Sequence, residues 1–196
     1  MTILERLKTE TKAHHDQIEE VGFSSRIMNG SLNKEQYTAM VINNYIMHYY
    51  LENIFDNLSE FNTIEGLEYP KRKKTDLIAK DLIALGLDPK DYQNTPLFNL
   101  PINDKYQALG AFYVLEGSTL GGAVIARTLK KNENLTDIDT YHFYGCYGEE
   151  VGMRWKQFCQ VLLNEGQETE NQDKMVKSAS DTFDAMSSLF MALNSN

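Results

Sequence analysis

Residues 104–129 read DKYQALGAFYVLEGSTLGGAVIARTL, and the class of fold turns on this stretch. From about Asp104, the positions Tyr106, Leu109, Gly110, Tyr113 and Val114 recur at the spacing of one helix face. Gly117-Ser118-Thr119-Leu120-Gly121-Gly122 interrupts the pattern, which resumes at Val124, Ile125 and Leu129. A glycine inside a helix costs about 1 kcal/mol relative to alanine, so three within six residues need a reason. One reason is close approach of a second backbone. The other is a kink whose bare backbone lies against a flat ligand. GSTLGG lacks the lysine of a phosphate loop and no strand precedes it. The spacing therefore predicts an apolar helix kinked by glycine.

The flanks read the same way. Thr2 with Glu5 forms a capping box, and Leu4, Leu7, Thr11 and Ile18 follow at helical spacing to about Glu20. Asn33 with Gln36 starts a second helix, whose inner face carries Tyr37, Met40, Val41, Asn44, Tyr45, His48, Leu51 and Phe55. Thr75 caps a third through Leu77, Ile78, Leu82 and Leu85, stopped by Gly86. Further helices are expected at about 148–164 and 172–193. The four prolines, Pro70, Pro89, Pro96 and Pro101, all fall in the middle third. Everything outside it is free to run as long helix. No stretch alternates like a strand, and no repeat or linker divides the chain. The expectation is an all-α, single-domain helical bundle over residues 1–196.

Composition narrows the function classes. A chain of 196 residues, 42% apolar and 24% charged, buries a core without metal or disulfide staples. With 19 cations against 28 anions the net charge is −9, which opposes general nucleic-acid binding. The mean hydropathy of −0.44 and the lack of a long apolar run argue against a membrane span. The N-terminus, MTILERLKTETK, has no apolar segment after its charges, so no secretory leader is expected. Cys146 and Cys159 are too few for a disulfide framework and read as inert buried thiols in a reducing cytoplasm. Lys71-Arg72-Lys73-Lys74 is the strong basic run of an acidic chain, a solvated loop or a dock for an acidic protein.

His14-His15 is the most informative small feature. At 100° per residue, the two lie about 50° to either side of the apolar stripe of Leu4, Leu7, Thr11 and Ile18. Periodicity leaves both open as the inward-facing one, and both could equally be half-exposed helix histidines. Lys8, seven residues before His15, falls within about 20° of it on the wheel. A cation two turns away on one stripe suits an anionic ligand held by a histidine-bound metal.

With these features placed, the chain resembles the haem oxygenases, specifically the soluble bacterial biliverdin-producing group. The residues that carry the resemblance are LKTETKAHHDQIEE at 7–20, YVLEGSTLGG at 113–122 and YGEEVGMRWKQF at 147–158. TDLIAKDLIALG at 75–86 is similar to the family's middle helix. The resemblance implies that one histidine of the first helix ligates haem iron, and its Thr-Lys-x-x-His step selects His15. It places Thr11 beside the haem, Lys8 and Lys156 near the propionates, and Glu19 just beyond the ligand. Gly117 and Gly121 are implied to lie over the haem face. Ser118 stands where the animal enzymes carry an aspartate, and Gln160 where they carry a second propionate-side arginine. Phe183 and Phe190, seven apart on the last helix, fit the core or the haem edge, with Phe183 assigned to the haem.

The implied reaction uses haem as cofactor and substrate, with O2 and external electrons, and yields biliverdin, carbon monoxide and ferrous iron. A neutral histidine suits it, lacking the electron push of a thiolate. Bare glycine backbone at 117 and 121 leaves room for oxygen beside the ring, and Ser118 helps to position water. His48 fits either this network or the core, and Trp155 reads as an interior anchor. No flavin or nicotinamide fingerprint is present, so a ferredoxin or a reductase is the implied electron donor. The alternative is a non-catalytic haem carrier or sensor on the same fold. A di-iron enzyme is disfavoured because no histidine stands in a Glu-x-x-His step.

Overall fold

Asp104 sets the start of the central helix. Its carboxylate accepts from the backbone N–H of Tyr106 and Gln107, at 3.0 and 2.9 Å, and α7 follows as Lys105–Ser118. In the computed structural model, which describes residues 1–95 and 99–194, α7 lies almost wholly in the core. Around it run α1 (Ile3–Glu10), α2 (Lys12–Val21), α3 (Ser24–Met28), α4 (Lys34–Asp56), α5 (Ser59–Asn62) and α6 (Thr75–Ala84). After α7 come α8 (Gly122–Leu129), α9 (Val151–Glu165) and α10 (Thr169–Asn194). There is no strand among the described residues, and Pro96 falls outside them.

Helix α7 packs most extensively on α10, and a glycine permits it. A Cβ on Gly110 would lie 2.1 Å from the carbonyl oxygen of Met175. Gly122 serves α8 in the same way, since its Cβ would meet the Tyr144 carbonyl oxygen at 2.6 Å. The Lys105–Leu129 stretch, with a window of mean hydropathy 1.4, is long and apolar enough by composition to cross a membrane. That corrects the expectation of no long apolar run. Here the stretch bends at Thr119–Gly121, and α7 supplies core residues such as Leu109, Phe112 and Leu115.

Two helix starts depart from the sequence reading. The first helix is broken at Thr11, whose hydroxyl donates to the Leu7 carbonyl at 2.6 Å. This side-chain bond competes with the helical ladder and bends it. Thr75 does not cap α6 but is its first residue. The cap comes from α4, where the buried Glu52 carboxylate accepts from Lys74 N–H at 2.7 Å and Thr75 N–H at 3.2 Å. Burial opposes its charge, but His48 and these N–H groups hold the Glu52 carboxyl below the usual carboxylate range. The boxes at Thr2–Glu5 and Asn33–Gln36 form as read, and Gly86 follows α6 at φ 79°.

Candidate functional site

The break at Thr11 and the bend after Ser118 both border a cleft of about 470 Å³. Its volume falls within the roughly 300–1,000 Å³ of ordinary small-molecule sites. One wall is α1 and α2, contributing Lys8, Thr11, Lys12, His15, Asp16, Ile18 and Glu19. The other is the end of α7 and the bend, with Tyr113, Val114, Gly117, Ser118 and Leu120. Trp155 of α9 and Phe183 and Met186 of α10 close the space between them. The interior is therefore aromatic and aliphatic, and the charges lie at its mouth.

The neighbours of the two histidines differ. His14 Nδ1 donates to Asp184 Oδ1 of α10 at 2.6 Å, so it is spent on holding α2 against the bundle. His15 lines the cleft, its side chain half-exposed and its ring edge-on to Phe183 at 5.7 Å. Its Nδ1 is 3.8 Å from the Glu19 carboxylate, too long for a hydrogen bond yet near enough to become one after a small rotation. Lys12 is paired with Asp16. Lys8 has no ion-pair partner among the described residues and stays available at the rim.

The glycines of the bend separate by role. Gly122 is taken up by backbone packing, as above. Gly117 is not, because a Cβ there would meet only the Trp155 ring, at 3.9 Å, an ordinary contact. No protein atom forbids a side chain at 117, and the space it would fill is the cleft. Ser118 beside it donates its hydroxyl to the Leu115 carbonyl at 2.7 Å, leaving its oxygen lone pairs to accept.

Gly121 is not among the cleft-lining residues. It is the N-cap just before α8, and its Cβ would point toward Ile125 at 3.7 Å. Lys156 is also absent from the lining, since it follows Trp155 by one position, about 100° around α9, and is exposed. His48 belongs to the core. It is 2% exposed, its Nδ1 lies 3.1 Å from Glu52 and its ring packs on Phe143. Phe190 is buried in the core, edge-on to Phe23. Cys146 and Cys159 are half-buried, and burial pushes both thiols up. Trp155 corrects the reading of an interior anchor: it is half-buried and forms cleft wall. Tyr113, Val114 and Met186 were not singled out for the cleft, because their apolar periodicity looks the same whether they face core or cleft.

These residues suit haem. A largely apolar cleft carries an uncommitted imidazole, bare backbone at Gly117 and, at the rim, a cation for carboxylates that has no ion-pair partner among the described residues. The haem oxygenase of Xanthomonas campestris pv. campestris is 32% identical over 100 residues, which span 51% of this chain and 56% of that relative. The NO- and CO-bound haem oxygenase of Neisseria meningitidis has the same fold, at TM-score 0.74 and 23% identity over 98% of this chain and 92% of that one. So does the haem complex of haem oxygenase-1 from the cyanobacterium Synechocystis, at TM-score 0.75 and 16% identity, covering 100% and 94%. The haem oxygenase family profile matches residues 1–192, running through every element that builds the cleft, and the chain belongs to that family.

Proposed function

We propose that this protein binds haem in the cleft between α2 and α7 and oxidises it to biliverdin, carbon monoxide and ferrous iron. The observation that carries the reading is that His15 and Gly117 line one cleft together with Tyr113, Trp155 and Phe183. Bound haem supplies the iron at which O2 is activated and the ring that is cut. His15 provides a neutral nitrogen ligand, and Glu19 is placed to receive the ring's other N–H, the usual means of fixing a ligating imidazole. Lys8 offers a charge-assisted bond to a propionate, worth at most about 1.5–3 kcal/mol where water is excluded. Gly117 keeps side chains out of the reaction space, and Ser118 holds water by its free lone pairs. Electrons come from a separate ferredoxin or reductase. The two free cysteines suit a reducing cytoplasm, to which we assign the reaction.

Adding ascorbate in air to the hemin complex tests this reading. The Soret band is expected to give way to the absorption of biliverdin. A Soret band that survives would leave a haem carrier as the function.

Gly117→Ala separates reaction space from packing. The added methyl meets no backbone and raises helix propensity, so the melting temperature should hold or rise. Biliverdin formation should fall by about tenfold or more, since small misplacements at a reacting centre are that costly. Full turnover in the folded, haem-loaded variant would remove Gly117 from the chemistry.

A further inference from the structure

Directly behind the cleft lies a cluster of buried charge that the proposed reaction does not use. Arg72, Lys74 and Glu116 are each 2% exposed or less. Glu116 precedes Gly117 in α7, and its carboxylate accepts three donors. These are Arg72 Nη1 at 2.6 Å, Lys74 Nζ at 3.1 Å and Tyr147 Oη at 2.7 Å. Lys74 Nζ also donates to Tyr147 Oη at 2.6 Å and to the Arg72 carbonyl. Arg72 reaches outward as well, from Nε to the Leu67 carbonyl at 2.7 Å and from Nη2 to the Arg154 carbonyl at 3.2 Å.

Two of these bonds end one residue away from side chains or backbone that line the cleft. Glu116 is followed by Gly117, and Arg154 by Trp155. Gly117 and Trp155 are neighbours in the lining, since a Cβ at 117 would lie 3.9 Å from Trp155 Cη2. A single guanidinium therefore spans from α7 to α9, with Lys74 and Tyr147 fixing the carboxylate it holds.

Stability alone does not explain the arrangement. Apolar side chains of equal volume are commonly as stabilising as a buried ion cluster, because desolvation offsets the Coulomb attraction. What a satisfied buried network adds is one defined geometry.

We propose that Arg72, Glu116, Lys74 and Tyr147 are positioning residues that set the separation of Gly117 and Trp155, and so the seat open to haem. This inference rests on haem occupying the cleft. Its test begins without haem, because Trp155 is the protein's single tryptophan.

Tyr147→Phe deletes one hydroxyl from the network, and Glu116→Gln deletes its anion at constant size. In both, the Trp155 emission maximum and its quenching by acrylamide should shift in the apoprotein while far-UV circular dichroism is unchanged. Hemin affinity, followed by quenching of the same tryptophan, should weaken by about tenfold in Glu116→Gln, in the range typical of supporting-shell partners. Biliverdin isomer composition should broaden. If Glu116→Gln fails to fold, Tyr147→Phe decides. A lowered melting temperature with unchanged Trp155 emission, quenching and hemin affinity would overturn the proposal and leave a purely structural cluster. Failure of the wild type to bind hemin would instead sink the proposed function, and the apoprotein fluorescence would still judge the positioning role.

Discussion

Gly110→Ala is expected to destabilise the protein by about 3 kcal/mol or more, near the upper end of what overpacking costs. The new Cβ would stand 2.1 Å from the Met175 carbonyl oxygen and 2.9 Å from two further backbone atoms of that residue. Because these are backbone atoms, no rotamer change relieves the contact. Relief requires separating α7 from α10, the most extensive helix pair of the bundle. For a chain of this size the melting temperature should drop by roughly 6–12 °C. Helix propensity acts in the opposite direction by only about 1 kcal/mol. Thermal melts of wild type and variant check it, and an unchanged midpoint would mean that the two helices are not in contact there.

His15→Ala is expected to abolish both the histidine-coordinated hemin spectrum and biliverdin formation. Its loss should exceed the about 10–100-fold that outer-shell partners of a metal cost, because the ligand itself is removed. The His15 side chain is half-exposed and makes no hydrogen bond among the described residues, so the variant should fold like the wild type. Imidazole added to it should restore the spectrum by occupying the vacated position. His14→Ala removes the bond to Asp184 at the surface, a loss of about 0.5–1.5 kcal/mol of stability. Its hemin spectrum and turnover should be those of the wild type. The reverse pattern in the two variants would move the ligand to His14 and detach Lys8 from the haem.

The difference between these histidines shows where the sequence stops being readable. Wheel geometry puts both at equal angles to the apolar stripe, and the choice depends on Asp184, which is 170 residues away. Signals carried within one turn were legible: the Thr2–Glu5 and Asn33–Gln36 boxes and Gly86 after α6 all form. The cap of α6 was not, because Glu52 lies 22 residues before the N–H it accepts. The glycine cluster marked the bend correctly. It could not say that Gly122 answers to the Tyr144 carbonyl while Gly117 answers to an open cleft. Trp155 lines the cleft while its neighbour Lys156 is exposed, for the same reason. One position turns a side chain by about 100°, and only the packing of α9 fixes which of the two faces the cleft.

Carbon monoxide release tests the central claim most directly. Purified protein is loaded with one equivalent of hemin and supplied with ascorbate in air, and the gas is trapped with a carbon monoxide-binding haem protein. About one carbon monoxide per haem, with biliverdin in equal amount and none from His15→Ala, is the expected result from ring cleavage at a single carbon in this cleft. Loss of the haem colour without carbon monoxide, or equal release from His15→Ala, would contradict it.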